Sequence, residues 1–231
     1  MIASKLTPTE RILAMDSHLK VSETERGFNI FTAYDYPGRD PAVGEVSVGI
    51  GVEDGEFMYA LIRGIKPKRV LETGSNVGIS SRFIALAMSD NGGGVFDTIE
   101  HDGTLAPIAR GKMSWIPGVN ITAHRIASKD FTPSGMYEFM FFDSNPPDRM
   151  PDMLRYLDNL APGGMAWTHD HQNVENKGVT DIHGLVPEEL KEKMRAGTLR
   201  GIVLNAHHGG CLFQKPFGFD WMRDAIKQEA K

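Results

Sequence analysis

The stretch Val70-Leu71-Glu72-Thr73-Gly74-Ser75-Asn76-Val77-Gly78 decides how this chain folds. The short run from Arg69 to Glu72 reads as a buried strand. Residues 79–88, with Phe83, Ile84 and Ala87 on one side, read as a helix. Between them, Gly74 and Gly78 let the backbone turn sharply and let a ligand approach with no side chain in its way. Strand, glycine loop and helix in that order form the context in which such a loop binds nucleotide-like ligands. The spacing here is Gly-x-x-x-Gly, with the acid Glu72 two residues before the first glycine. A dinucleotide site needs Gly-x-Gly-x-x-Gly to cradle its pyrophosphate. An acid at the strand end repels pyrophosphate and suits a cationic amine or sulfonium.

Outward from the loop the pattern repeats. Residues 95–99 and 121–126 read as strands with a helix over 105–115 between them. Residues 137–143 are almost continuously apolar, as a central parallel strand covered on both faces should be. A helix is expected over 153–160, a fifth strand over 165–168, and a charged helix over 187–196, opened by Pro187 and closed by Gly197. Two further strands, 200–205 and 210–214, join through His207, His208 and Gly209. Upstream, Thr7-Pro8-Thr9-Glu10 has the form of a capping box opening a helix to about Lys20, and a second helix covers 54–64. Residues 21–52, rich in Gly, Pro and aromatics, read as an irregular segment across the mouth of the main domain. The fold class is therefore α/β: a Rossmann-like, doubly wound, mostly parallel seven-stranded sheet with helices on both faces and a C-terminal antiparallel hairpin. Residues 1–52 form an N-terminal helix and cap, and 53–231 the main domain, in one compact unit.

Composition narrows the function classes. With 41% apolar and 24% charged residues the 231-residue chain is neither disordered nor membranous in character. No apolar run approaches the roughly 20 residues of a membrane-spanning helix. Lys5, Glu10, Arg11, Asp16 and Lys20 leave no room for the apolar stretch of a signal peptide. Cys211 is the only cysteine, so no internal disulfide forms and a cytoplasmic protein is expected. The net charge is −5, and Lys and Arg are nowhere concentrated into a phosphate-tracking stripe, which argues against nucleic acid. A small-molecule partner is expected, and a homodimer is an open option.

About twenty residues past the loop, Ile99-Glu100-His101-Asp102 ends the second strand, and Glu100 is the acid best placed to accept two hydrogen bonds from a ribose diol. Together, residues 70–78 and Ile99-Glu100 resemble the first two motifs of class I S-adenosylmethionine (SAM)-dependent methyltransferases. Residues 46–215 are similar in particular to the catechol O-methyltransferase-like group and its bacterial small-molecule relatives. Ala127-Ser128-Lys129-Asp130, Phe141-Phe142-Asp143, Asp148-Arg149 and Leu160-Ala161-Pro162-Gly163-Gly164 add to the likeness in order and spacing. The resemblance implies that Glu72 and the backbone of Gly74, Ser75, Asn76 and Gly78 hold the methionine part of SAM. It further implies Glu100 on the ribose, Ala127 and Ser128 beside the adenine, and Asp143 facing the amino group or a metal.

In the catechol-type group a divalent cation sits between an acid ending strand four and an acid–amide pair after strand five. Carried across, that set is Asp143, Asp170 and His171, with an imidazole in the amide's place within His169-Asp170-His171-Gln172-Asn173. Oxygen ligands suit Mg²⁺, and an added imidazole favours Mn²⁺ or Fe²⁺. Such an ion would lower the pKa of a bound hydroxyl and orient it. The group's lysine, three residues after the strand-four acid, is Pro146 here, so the usual base is missing. Histidine titrates in the right range to replace it, and His169 and His171 are the candidates, ahead of His183, His207 and His208. Tyr34, Tyr36 and Trp167 are candidate walls of an acceptor pocket, and residues 174–184 have the composition of a covering loop.

The function expected is SAM-dependent O-methylation of a small hydroxylated molecule, with divalent-metal assistance as an option. N- or C-methylation on the same scaffold and non-catalytic SAM binding stay open. A nicotinamide oxidoreductase is disfavoured by the glycine spacing.

Overall fold

A computed structural model describes residues 6–25, 27–33, 46–169, 186–204 and 209–218. Helix α1 (Pro8–Met15) opens with the capping box its sequence implies. Thr7 Oγ1 accepts the Glu10 N–H, and the Glu10 carboxylate accepts the Thr7 N–H. Strands β1 (Leu19–Glu23), β2 (Asn29–Ala33) and β3 (Val46–Gly51) then form a three-stranded antiparallel sheet. This corrects the irregular reading of residues 21–52 over the described strands, residues 26 and 34–45 lying outside the described residues. In β3, Val46, Val48 and Ile50 are buried while Ser47 and Gly49 are exposed, a period of two too short to stand out in a Gly-rich stretch.

Helix α2 (Val52–Ile65) leaves β3 with no intervening loop, Gly51 serving as its N-cap. The alternation that follows is regular. Strand β4 (Arg69–Thr73) leads to α3 (Ile79–Asp90), β5 (Gly94–Glu100) to α4 (Leu105–Met113), and β6 (Val119–Arg125) to β7 (Tyr137–Phe142). Helix α5 (Pro146–Tyr156) precedes β8 (Leu160–His169), and α6 (Glu188–Arg195) precedes β9 (Arg200–Leu204) and β10 (Gly210–Gln214). The sheet order is β6-β5-β4-β7-β8-β10-β9. Strands β6 to β8 in that order run parallel, and β10 is antiparallel to both β8 and β9. This is the doubly wound, seven-stranded sheet with a terminal hairpin that the sequence implies. Two boundaries differ: α1, expected to about Lys20, ends at Met15 ahead of β1, and the helix expected over 153–160 starts at Pro146. Two prolines open it, where a missing N–H costs nothing, and Leu160 already belongs to β8.

The two faces of the sheet carry separate cores. Phe139, Phe141, Phe96 and Trp167 pack against Met58 and Ile62 of α2 and Phe83 and Ile84 of α3. Met140, Phe142, Leu71 and Phe213 pack on the other face against Met153 and Tyr156 of α5 and Leu190 of α6. Strict alternation of Phe139 and Phe141 with Met140 and Phe142 explains the continuous apolar run in β7. Each fully buried side chain of this size contributes about 1.5–3 kcal/mol.

The N-terminal sheet is fastened to the larger one by a buried charge. Asp16, at the end of α1, accepts from Arg82 Nη1 of α3 at 3.3 Å and from Lys112 Nζ of α4 at 2.6 Å. Arg82 is 1% exposed and also donates Nε to the Gly78 carbonyl. Strand β4 has β5 on one side and β7 on the other, so successive crossovers depart in opposite directions. A crevice opens there at the carboxyl ends of the strands, where doubly wound sheets hold their ligands.

Candidate active site

That crevice is a cavity of about 580 Å³, the size range of small-molecule and cofactor sites. The loop after β4 forms its floor. The Gly74 N–H donates to the Ile99 carbonyl at 2.8 Å, and Gly74 has φ 84°, a conformation that disfavours a side chain. A Cβ at Gly74 would lie 2.3 Å from the Asp143 carbonyl oxygen, so this glycine lets β4 and the end of β7 close together. No Gly74 variant is a clean probe of ligand binding, because any side chain strikes backbone. Gly74, Ser75 and Asn76 line the cavity.

Glu72 and Gly78, which the resemblance assigns to the methionine part of SAM, are not among the residues lining the cavity. Glu72 is fully buried beneath the loop and accepts from Ser80 Oγ at 2.6 Å, Thr98 Oγ1 at 2.6 Å and Ser81 Oγ. Burial pushes its carboxyl above the ordinary glutamate range, and the three hydroxyls only partly counter that. Its work is to tie β4, β5 and α3 together. Gly78 has φ 83° and brings α3 onto α4, where a Cβ would stand 3.1 Å from Ala109 Cα. Gly78→Ala should therefore cost about 1–2 kcal/mol, the left-handed penalty, in urea unfolding. Ligand affinity of the folded variant should stay within twofold or so of wild type; a large loss would put Gly78 back at the site.

Glu100, ending β5, faces the cavity. One oxygen accepts the Asn76 N–H at 2.8 Å and the other the Asp102 N–H at 2.9 Å, which aims the carboxylate and leaves lone pairs for a diol. Ala127 and Ser128 line the opposite wall, and Ser128 Oγ donates to Asp152 at 2.8 Å. Asp152, 1% exposed, also accepts from Ser144 Oγ at 2.8 Å and Arg155 Nη1 at 2.7 Å. It braces the loops after β6 and β7 against α5. The third wall is β3, through Val48, Gly49 and Ile50. Trp167 is fully buried, edge-on to Phe57 and Phe141, and serves the core.

Asp143 and His169, at the ends of β7 and β8, meet in the same cavity. His169 Nδ1 is 3.2 Å from Asp143 Oδ1, and its Nε2 is 3.3 Å from Asp54 Oδ2 of α2. Arg149 of α5 places Nη2 3.1 Å from the same Asp143 oxygen and donates Nε to the Ser144 carbonyl at 2.7 Å. Burial acts against a charge on the imidazole, but Asp143 and Asp54 outweigh it and push the His169 pKa up to about 10. Two flanking carboxylates favour the protonated form of this imidazole, which is the state any proton transfer at His169 would start from. The stability it contributes is complete below the unfolded value of about 6.5 and is lost as pH rises through about 10. Denaturant midpoints should thus fall across that interval in wild type and fall less in His169→Gln; parallel curves would refute the assignment.

Asp170 and His171 lie outside the described residues, as do Tyr34, Tyr36, His183, His207, His208 and residues 174–184. Of the predicted metal ligands only Asp143 is described, and it is already paired with two cations. Among the described residues no three His, Cys, Asp or Glu side chains gather as an ion-holding group. Asp54, Asp152 and the β3 wall were not among the sequence candidates. Asp54 finds its histidine 115 residues away, a pairing with no local signal.

No family model and no curated protein matches the chain. Solved structures do. An O-methyltransferase from Bacillus cereus, in complex with S-adenosylhomocysteine (SAH), matches with a TM-score of 0.56 at 16% identity, over 74% of this chain and 84% of that one. The O-methyltransferase TomG from Streptomyces achromogenes, involved in tomaymycin synthesis and solved with SAM, matches at 0.54 and 19% identity, over 74% and 82%. A candidate O-methyltransferase from Klebsiella pneumoniae matches at 0.58 and 19% identity, over 93% and 94%. The fold is the Rossmann-like fold of these methyltransferases. Among the described residues no helix is long and apolar enough to cross a membrane.

Proposed function

We propose that the chain is a SAM-dependent O-methyltransferase acting on a small hydroxylated molecule. The observation that carries this reading is the pairing of Glu100 with the Gly74–Asn76 backbone in one cavity at the switch point of the sheet. An acid aimed by two backbone N–H groups suits a ribose diol, and the wide glycine spacing leaves no pyrophosphate cradle. Structures of the same fold hold SAM or SAH and are described as O-methyltransferases. Ala127 and Ser128 would flank the adenine. Asp143 would face the methionine amino group, a part Glu72 is too deeply buried to play.

Bound SAM supplies an activated methyl group. The protein's share is to hold that group in line with an acceptor oxygen and to exclude water, and positioning alone can supply roughly 7–11 kcal/mol in favourable models. Of the candidate bases, His169 lines the cavity and His171 lies beyond the described residues. The divalent-ion reading rests on Asp143, Asp170 and His171, which would hold the ion. A homodimer and a cytoplasmic setting belong to the same reading, the former checked by sedimentation.

Titration calorimetry with SAM, SAH and NADH tests the cofactor first. Binding of SAM and SAH with silence for NADH is expected, and the reverse would sink the proposal. Release of SAH in the presence of phenols, sugars or amines then identifies the acceptor class. Turnover with amines alone would replace O- by N-methylation.

A further inference from the structure

Asp152 lines the cavity from α5, yet only 1% of it is exposed. Its two oxygens are unevenly used. Oδ1 accepts from Ser128 Oγ at 2.8 Å and from Arg155 Nη1 at 2.7 Å. Among the described residues, Oδ2 accepts from Ser144 Oγ alone, at 2.8 Å. A carboxylate offers about four lone-pair sites, so Oδ2 keeps one for a further donor. Burial pushes the carboxyl above the ordinary aspartate value, and the three donors only partly counter it. Holding the loop after β6 does not by itself require this acid. The Tyr156 hydroxyl, one turn further along α5, already donates to the Ser128 carbonyl and to that of Phe131. An acid kept out of water at a cavity wall, with an acceptor site open, suits a ligand that brings an N–H.

We propose that Asp152 reads the base of the bound cofactor: Oδ2 accepts a hydrogen bond from the exocyclic amine of adenine, so that the cavity takes a 6-amino purine and rejects a 6-oxo one. Ala127 and Ser128 form the wall proposed for the base, and Ser144 reaches the same carboxylate from the loop after β7. Both loops thus converge on one acceptor. A 6-oxo purine would set an oxygen against that carboxylate with no proton between them, and would leave a buried acid short of a donor. Arg155 fixes which oxygen does the reading. A guanidinium carries donors only, and this one claims Oδ1. The inference deepens the SAM reading of the same cavity and rests on it.

Titration calorimetry on the full-length protein with SAH and with S-inosylhomocysteine, its 6-oxo counterpart, tests it. Wild type is expected to bind SAH about 10- to 100-fold more tightly, the worth of one hydrogen bond to a charged acceptor. In Asp152→Asn the Arg155 guanidinium keeps the amide oxygen at the Oδ1 position, which puts the amide nitrogen where Oδ2 was. A donor there opposes the amine and suits the 6-oxo group, so the preference should fall below about threefold or reverse. Tyr156→Phe, which loosens the same loop without removing the acid, should weaken both ligands equally and keep the preference. Loss of the preference in Tyr156→Phe would assign it to the loop instead. Equal affinities in wild type would overturn the proposal, and so would a folded Asp152→Asn that keeps the wild-type preference. If that variant does not fold, the wild-type comparison decides alone. Failure of both ligands to bind defeats the SAM reading and this inference together, whereas equal binding defeats only the inference.

Discussion

Asp16→Ala is expected to destabilise the folded protein by about 3–5 kcal/mol, the usual cost of removing one partner of a buried ion pair. The substitution strands Arg82, which is 1% exposed inside α3, and releases Lys112 as well. It also unfastens α1 and the antiparallel strands that supply one cavity wall. Urea unfolding measures the loss, and a change under about 1 kcal/mol would mean that Arg82 finds water or another acceptor. The pH dependence follows from the same contacts. Burial alone would raise the Asp16 carboxyl, but Lys112 and Arg82 together hold it below the ordinary aspartate value. A depressed folded pKa gives stability that is present above the unfolded value, near 3.8, and lost as pH falls through the folded one. Acidification should therefore narrow the gap between wild type and Asp16→Ala, and a gap that stays constant would contradict the pairing.

Glu100→Ala should weaken SAM binding about 100-fold. Two hydrogen bonds to a charged acceptor, discounted for replacement by water, come to about 3 kcal/mol. The loop would loosen too, since the Asn76 and Asp102 N–H groups lose their acceptor. Calorimetry on a variant shown to be folded by circular dichroism gives the number. SAM and SAH share the ribose, so both should weaken equally. A loss confined to SAM would instead place the carboxylate near the sulfonium, and an undiminished affinity would remove Glu100 from the site. Glu100→Gln keeps one acceptor oxygen and should fall between.

The sheet was legible because its signals are local and periodic. The apolar run of β7, the strand–glycine–helix unit and the hairpin after the fifth parallel strand each carry their meaning within a dozen residues. Glu100, Ala127, Ser128 and Asp143, all singled out in the sequence, line one cavity. What the linear pattern could not convey was direction. Glu72 lies next to the loop in sequence, yet its side chain points under it, toward hydroxyls contributed by α3 and β5. The N-terminal strands were missed because each is only five or six residues long and β1 and β2 show no clean alternation of buried and exposed residues. His169 stood out in the sequence, but its electrostatic setting depends on Asp143 and Asp54, and Asp54 arrives from α2 through packing alone.

Gly51 is at once the last residue of β3 and the cap of α2, and Asp54 follows three residues later. The β3 wall of the cavity and the carboxylate beside His169 therefore sit on one continuous segment. One short segment of chain thus builds both a side of the cavity and the acid behind its histidine.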